Sequence, residues 1–193
     1  MLHTDERITI VDDDQSVRNI QRAAGVVIQG SIQRGLRIHK MDEWIAVPVE
    51  SGLHFDESDK RRLSQVIETH GDLLIYGFAL EASPSIPAVI SFNANYEGFD
   101  AFNDAFSLYN YALFPETMSW MLLCLTEDYY VVLGPLPFVE QALGTSLEEG
   151  YALFHTFASV PGWPPTTSER FLYVLQTFKK DYRTAKQGEY IQL

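Results

Sequence analysis

Residues 7–12 (RITIVD) alternate apolar and polar positions and are β-branched, which predicts a strand. A short helix follows, with Val17, Ile20 and Ala24 on one face, Asp14 or Ser16 as its cap and Gly25 at its end. Residues 26–30, 36–40 and 43–49 read as further strands, with Gly30 and Gly35 marking turns. Asp56 opens a longer helix in which Leu63, Val66, Ile67 and His70 fall at helical spacing, and Gly71 supplies the stop. Residues 72–80 (DLLIYGFAL) predict a buried strand, and 88–93 (AVISFN) its antiparallel partner across a Pro84/Pro87 loop.

The next segment, 95–109, carries Tyr96, Phe99, Phe102, Phe106 and Tyr109. At 100° per residue these five rings fall in one sector of roughly 140°, which predicts a helix packing an aromatic stripe into the core. Residues 118–127 and 129–134 predict a β-hairpin turning at Glu127-Asp128. A short helix over 137–143 ends at Gly144, and Ser146 with Glu149 reads as a capping box for the next helix. The prolines of VPGWPP (160–165) exclude a helix there. Thr166 and Glu169 form a second capping box, ahead of Phe171, Leu175, Phe178 and Tyr182 on one face and Lys179, Lys180 and Arg183 near the C-terminal end. Hairpins in the middle and helices at the end predict an α+β fold: a mixed or mainly antiparallel sheet with helices packed on it and a helical C-terminus. The 193 residues suit one domain. The ESGLHF stretch near 50–56 is the only weak boundary, and an N-terminal subdomain over 1–54 is the alternative.

Composition narrows the function. An apolar share of 46% excludes a disordered chain. No apolar run approaches the ~20 residues of a membrane helix. The start has neither a basic nor an apolar leader region, and the single Cys124 cannot form an internal disulfide, so a cytoplasmic location is expected. Acids outnumber bases 26 to 14, for a formal charge of −12, which argues against binding to nucleic-acid phosphates or to an anionic membrane. The imbalance is localised. Between Leu63 and Ser168 there is no Lys or Arg, yet the stretch contains Glu68, Asp72, Glu81, Glu97, Asp100, Asp104, Glu116, Glu127, Asp128, Glu140, Glu148 and Glu149. Such a one-signed field steers a basic partner and raises association rates by ~10 to 1,000-fold.

Motifs for chemistry are missing. There is no phosphate-cradling G-x-x-x-x-G-K-[ST] or G-x-G-x-x-G, no G-x-S-x-G elbow and no HExxH. His54 with Asp56 could place an imidazole near a carboxylate, His70 reads as a helix cap, and Cys124 within MSWMLLCLTE reads as a buried, inert thiol. No catalytic residue, cofactor or metal is expected. The opening ITIVDDDQSVRNIQRAAG resembles a response-regulator receiver domain, in which Asp12, Asp13 and Asp14 would match the acidic cluster and Val17 to Ala24 the following helix. That resemblance implies a phospho-accepting aspartate about 40 residues on, for which Asp56 has the distance, and a lysine after a later strand. The lysine is missing from the whole of the stretch 63–168, which removes a principal stabiliser of the phosphoryl oxygens.

Residues 114–144, FPETMSWMLLCLTEDYYVVLGPLPFVEQALG, resemble the immunity proteins that bacteria make against their own contact-dependent or type VI toxins; the matching positions are Trp120, Gly134, Pro135, Phe138 and Gly144. The resemblance implies an acidic α+β protein that binds and occludes a basic toxin domain without catalysis. From loop position and chemistry, the expected acidic contacts are Glu116, Glu127, Asp128, Glu148 and Glu149, and the expected aromatic anchors are Tyr129 and Trp163. The alternatives are a receiver-like signalling module, a small-ligand domain, or an enzyme whose site is assembled from distant residues.

Overall fold

A computed structural model describes residues 5–31, 35–52, 54–81 and 83–193. In chain order the elements are β1 (Ile8–Ile10), α1 (Asp14–Val27), β2 (Ile28–Ser31), β3 (Gly35–His39), β4 (Trp44–Glu50), α2 (Glu57–Thr69), β5 (Leu74–Ala79), β6 (Val89–Asn93), α3 (Tyr96–Phe106), β7 (Tyr111–Pro115), β8 (Met121–Cys124), β9 (Tyr129–Pro135), α4 (Leu136–Leu143), α5 (Leu147–Ala158), α6 (Pro165–Gln176) and β10 (Tyr190–Gln192). A π-helical turn, Thr177–Tyr182, continues α6. Seven strands form one sheet in the order β1-β6-β5-β7-β8-β9-β4, and β10-β3-β2 form a second. All these pairings are antiparallel, so the fold is α+β with a helical C-terminus. The stretch before residue 55 supplies both edge strands of the large sheet, β1 and β4.

The central strands are buried on both faces, which explains why MLLC and YYVVL read as continuous apolar runs and not as an alternation. On one face, the pairing register aligns Tyr111, Leu113, Leu122, Cys124, Tyr130 and Val132. Phe102 of α3 meets Tyr111 there with ring centroids 5.8 Å apart, and Phe55 meets Tyr130 at 5.0 Å. Phe92 packs edge-on against Phe99 and stacks on Phe102, which meets Phe106, so the three phenylalanines of the α3 stripe are core. Tyr96 and Tyr109 are only partly buried, and the Tyr96 hydroxyl donates to Glu57 at 2.6 Å. On the opposite face Tyr129 packs edge-on against Phe154 of α5 and Phe171 of α6. The α3 helix sits close because residue 98 is glycine: a Cβ there would lie 2.0 Å from the Asn93 carbonyl oxygen. Asn95 caps α3 by accepting from the Gly98 N–H at 2.8 Å.

Several boundaries differ from expectation. The cap of α1 is Asp13, whose carboxylate accepts from the Ser16 N–H at 2.7 Å, in place of Asp14 or Ser16. Gly25 does not end that helix, because Val27 is buried and holds a further turn. The strand expected at 26 therefore starts at Ile28. Neither Thr166 nor Glu169 opens α6. Pro164 and Pro165 do, since Pro165 has its φ preset for the first turn and no N–H to satisfy there. Residues 111–115 form β7, a strand at the middle of the large sheet for which the sequence carries no alternation signal. His54, far from forming an acid–base pair, is 1% exposed, and its Nε2 donates to the carbonyls of Tyr109 (2.9 Å) and Phe106 (3.2 Å). Its Nδ1 is buried with no partner among the described residues, as a neutral ring protonated at Nε2 requires. Asp56 caps α2 and does not end a strand, as a receiver's phospho-acceptor would.

Candidate functional site

Consecutive hairpin connections emerge at opposite ends of a sheet, and this separates the expected contacts. Glu116 follows β7 at one end, while Glu127 and Asp128 join β8 to β9 at the other. Asp128 takes the left-handed conformation of a tight turn (φ 61°), and its carbonyl accepts from the Ser51 N–H at 2.9 Å. The turn is fastened from below: Thr126 N–H donates to the Asn110 side-chain oxygen at 3.0 Å, and Asn110 donates in turn to Glu81 at 3.2 Å. Glu127 accepts from Arg170 of α6 at 3.2 Å. Trp163 joins this end through Phe171 (5.6 Å between centroids), but it is half-buried and its indole N–H is used on the Phe157 carbonyl at 3.0 Å. Tyr129 is a correction. At 3% exposure its ring is core and presents nothing to a partner, and burial holds its hydroxyl well above the usual phenol range. The exposed ring at this end is Tyr173, 58% accessible, which the helical spacing hid because it lies off the Phe171/Leu175/Phe178 stripe.

Glu127, Tyr129, Arg170, Tyr173 and Asn110 line a cleft of about 230 Å³, closed on its far side by Leu36 and Leu193 near the small sheet. That is below the ~300–1,000 Å³ of ordinary small-molecule sites. Glu148 and Glu149 stand apart, in the first turn of α5, where Ser146 accepts from the Glu149 N–H at 3.3 Å. Glu148 is paired with Arg183 at 3.3 Å and Lys179 at 3.9 Å.

The acidic middle is thus partly neutralised by cations from the ends of the chain. Asp100 takes Lys60 (2.8 Å) and Arg7 (3.6 Å), while Asp72, Glu81 and Glu140 accept hydrogen bonds from Trp120, Asn110 and the Leu147 N–H. Glu68, Glu97, Asp104, Glu116, Asp128 and Glu149 have no side-chain partner among the described residues. They lie on α2, α3, α5 and two loops.

Sequence reasoning missed a buried polar cluster. Asp59 ionises beside Arg62, and the Tyr130 hydroxyl donates to Asp59 at 3.0 Å. Arg62 Nε donates to the Ala142 carbonyl at 2.6 Å, which ties α2 to α4. Burial raises the Asp59 carboxyl above its ordinary value despite Arg62. Asp56 is legible in the sequence as the start of α2; the capping box it forms with Asp59, and the reach of Tyr130 to Asp59 and Arg62, are not. The cleft beside them, about 220 Å³, is again small, and both Asp59 oxygens are engaged by the capping box, Arg62 and Tyr130. This cluster clamps helices together. Among the described residues no three His, Cys, Asp or Glu side chains come together as metal ligands do, and no helix is long and apolar enough to cross a membrane. Trp120, Gly134 and Phe138 do meet: the Trp120 and Phe138 rings stack at 5.2 Å, and Gly134 leaves them the room. Compared with protein-family models, curated proteins and solved structures, the chain matches none.

Proposed function

We propose that this chain is a non-catalytic inhibitor of the immunity-protein kind, which binds and occludes a basic protein domain. The observation that carries the reading is the stretch from Leu63 to Ser168 without a single Lys or Arg, half of whose carboxylates have no side-chain partner among the described residues. The contact surface we assign is the β8–β9 turn, with Glu127, Asp128 and the exposed Tyr173; Glu148 and Glu149 stand apart on α5, and Glu116 is at the wrong end to share it. Carboxylates at a rim accelerate encounter, and an exposed aromatic beside them provides residence. The cleft here is too small for a typical organic substrate, which favours a protein surface over a catalytic pocket at this end.

The test is affinity capture from the native host, followed by stopped-flow association of the purified pair between 20 and 500 mM salt, values chosen to span the range over which the screening length falls from roughly 20 Å to about 4 Å. The reading expects a basic partner, a 1:1 complex and an on-rate that falls steeply with salt. Glu127→Gln with Asp128→Asn should slow association by roughly 3–10-fold with little change in dissociation. An acidic or neutral partner, or an on-rate flat in salt, overturns it.

A further inference from the structure

The surface changes sign along the groove between α5 and α6. On the α5 side lie Tyr151 and His155, one turn apart; on the α6 side lie Leu175, Gln176, Lys179 and Lys180, which continue one helical face into the π-helical turn. The groove has a volume of about 860 Å³, and no carboxylate is among the described residues that line it. Lys179 leans over the Tyr151 ring at 5.5 Å and reaches Glu148 only at 3.9 Å. Lys180 and His155 make no side-chain hydrogen bond or ion pair among the described residues. Another cleft, about 520 Å³ beside α1 and β5, contains Glu81 and, among the described residues, no cation.

We propose that this groove binds a small amphiphilic organic anion, its carboxylate, sulfonate or phosphate against Lys179 and Lys180 and its apolar body over Ala152 and Leu172, whose side chains reach the surface while Tyr151 and Leu175 lie buried beneath. The volume lies within the range of small-molecule sites, unlike the cleft at the acidic turn. The chain's net charge of −12 does not oppose this strongly, because exposed charges more than ~8 Å away are screened at physiological salt while the lysines are in contact. The site is independent of the protein-binding reading: it lies on another surface and takes a ligand of opposite charge to the partner proposed there.

The intact protein is titrated with 8-anilinonaphthalene-1-sulfonate, followed by fluorescence, and in parallel with the neutral dye N-phenyl-1-naphthylamine. A single saturable site for the sulfonate is expected, with displacement by dodecanoate. Lys179→Gln with Lys180→Gln, both at exposed positions, should weaken the sulfonate roughly fivefold, the scale of an exposed ion contact, and leave the neutral dye unchanged. Three results overturn the proposal: no saturable binding, no displacement by dodecanoate, or equal affinity of the double variant and the parent for the sulfonate.

Discussion

Replacing Arg62 with Met removes one half of the buried pair and leaves the other behind. The Asp59 side chain is 6% exposed, against 26% for Arg62, so the cost falls mainly on the stranded carboxylate. Breaking a buried pair costs ~3–5 kcal/mol, and the partial exposure of Arg62 reduces this to about 2–3 kcal/mol at pH 7. Loss of the bond to the Ala142 carbonyl is included, because Met retains the aliphatic packing but no donor. For a chain of this size that corresponds to a fall in Tm of roughly 5–10 °C. The pH dependence is diagnostic. Asp59 already ionises with difficulty, since burial raises its folded pKa above the unfolded value. The folded state therefore holds its proton more tightly, stability is greatest below the unfolded pKa, and it is lost as pH rises through the folded pKa. Without Arg62 the folded pKa rises further, so the deficit of the variant relative to the parent should shrink between pH 7 and pH 5. Urea unfolding at each pH measures this, and taking the difference from the parent cancels other titrations. Asp59→Asn combined with Arg62→Met, which keeps a polar partner for Tyr130 but no charge, should recover at least half the loss. A deficit that does not change with pH, or a double variant no better than Arg62→Met, would refute the argument.

His54 gives the opposite slope: burial lowers its pKa, so the parent loses stability as pH falls below about 6.5 and the unfolded chain takes up the proton. His54→Asn, which suits the left-handed backbone at φ 59°, should flatten unfolding free energy between pH 7 and 5.5 relative to the parent. Gly98→Ala should destabilise by about 1–3 kcal/mol in urea titration, because its methyl group meets the Asn93 carbonyl and backbone has to move. Cys124, fully buried and with its thiol pushed well up by desolvation, should resist a thiol reagent in the native state and react fully in denaturant.

The parts of the fold legible in the sequence were those governed by local rules. The Asp56 cap, the Gly144 stop with its left-handed φ of 70°, and the aromatic period of α3 each depend on a few neighbouring residues. β7 escaped because its five residues are buried on both faces and lack the alternation that identifies a half-buried strand. Gly25 and the Thr166/Glu169 pair misled because tertiary packing of Val27 and the Pro164-Pro165 dipeptide outweighed a cap signal worth about 1 kcal/mol. The turn position of Glu127 and Asp128 was readable from two flanking apolar runs. The burial of Tyr129 was not, because it is set by Phe154 and Phe171, which lie 25 and 42 residues further along the chain. The cationic groove likewise exists only where α5 meets α6.

The doubly buried centre of the sheet also matters before the protein is folded. Residues 111–115, 121–124 and 129–135 carry no charge and are rich in β-formers, so an extended chain exposes three adhesive segments close together. Glu116 separates the first from the second, and Glu127-Asp128 separates the second from the third. With no lysine or arginine nearby, these separators all bear the same sign, and two nascent copies lying in register repel at each of them without offering a counter-charge to bridge. The acids between these strands thus stand where charged gatekeeper residues stand in other chains, beside the segments an unfolded copy would expose.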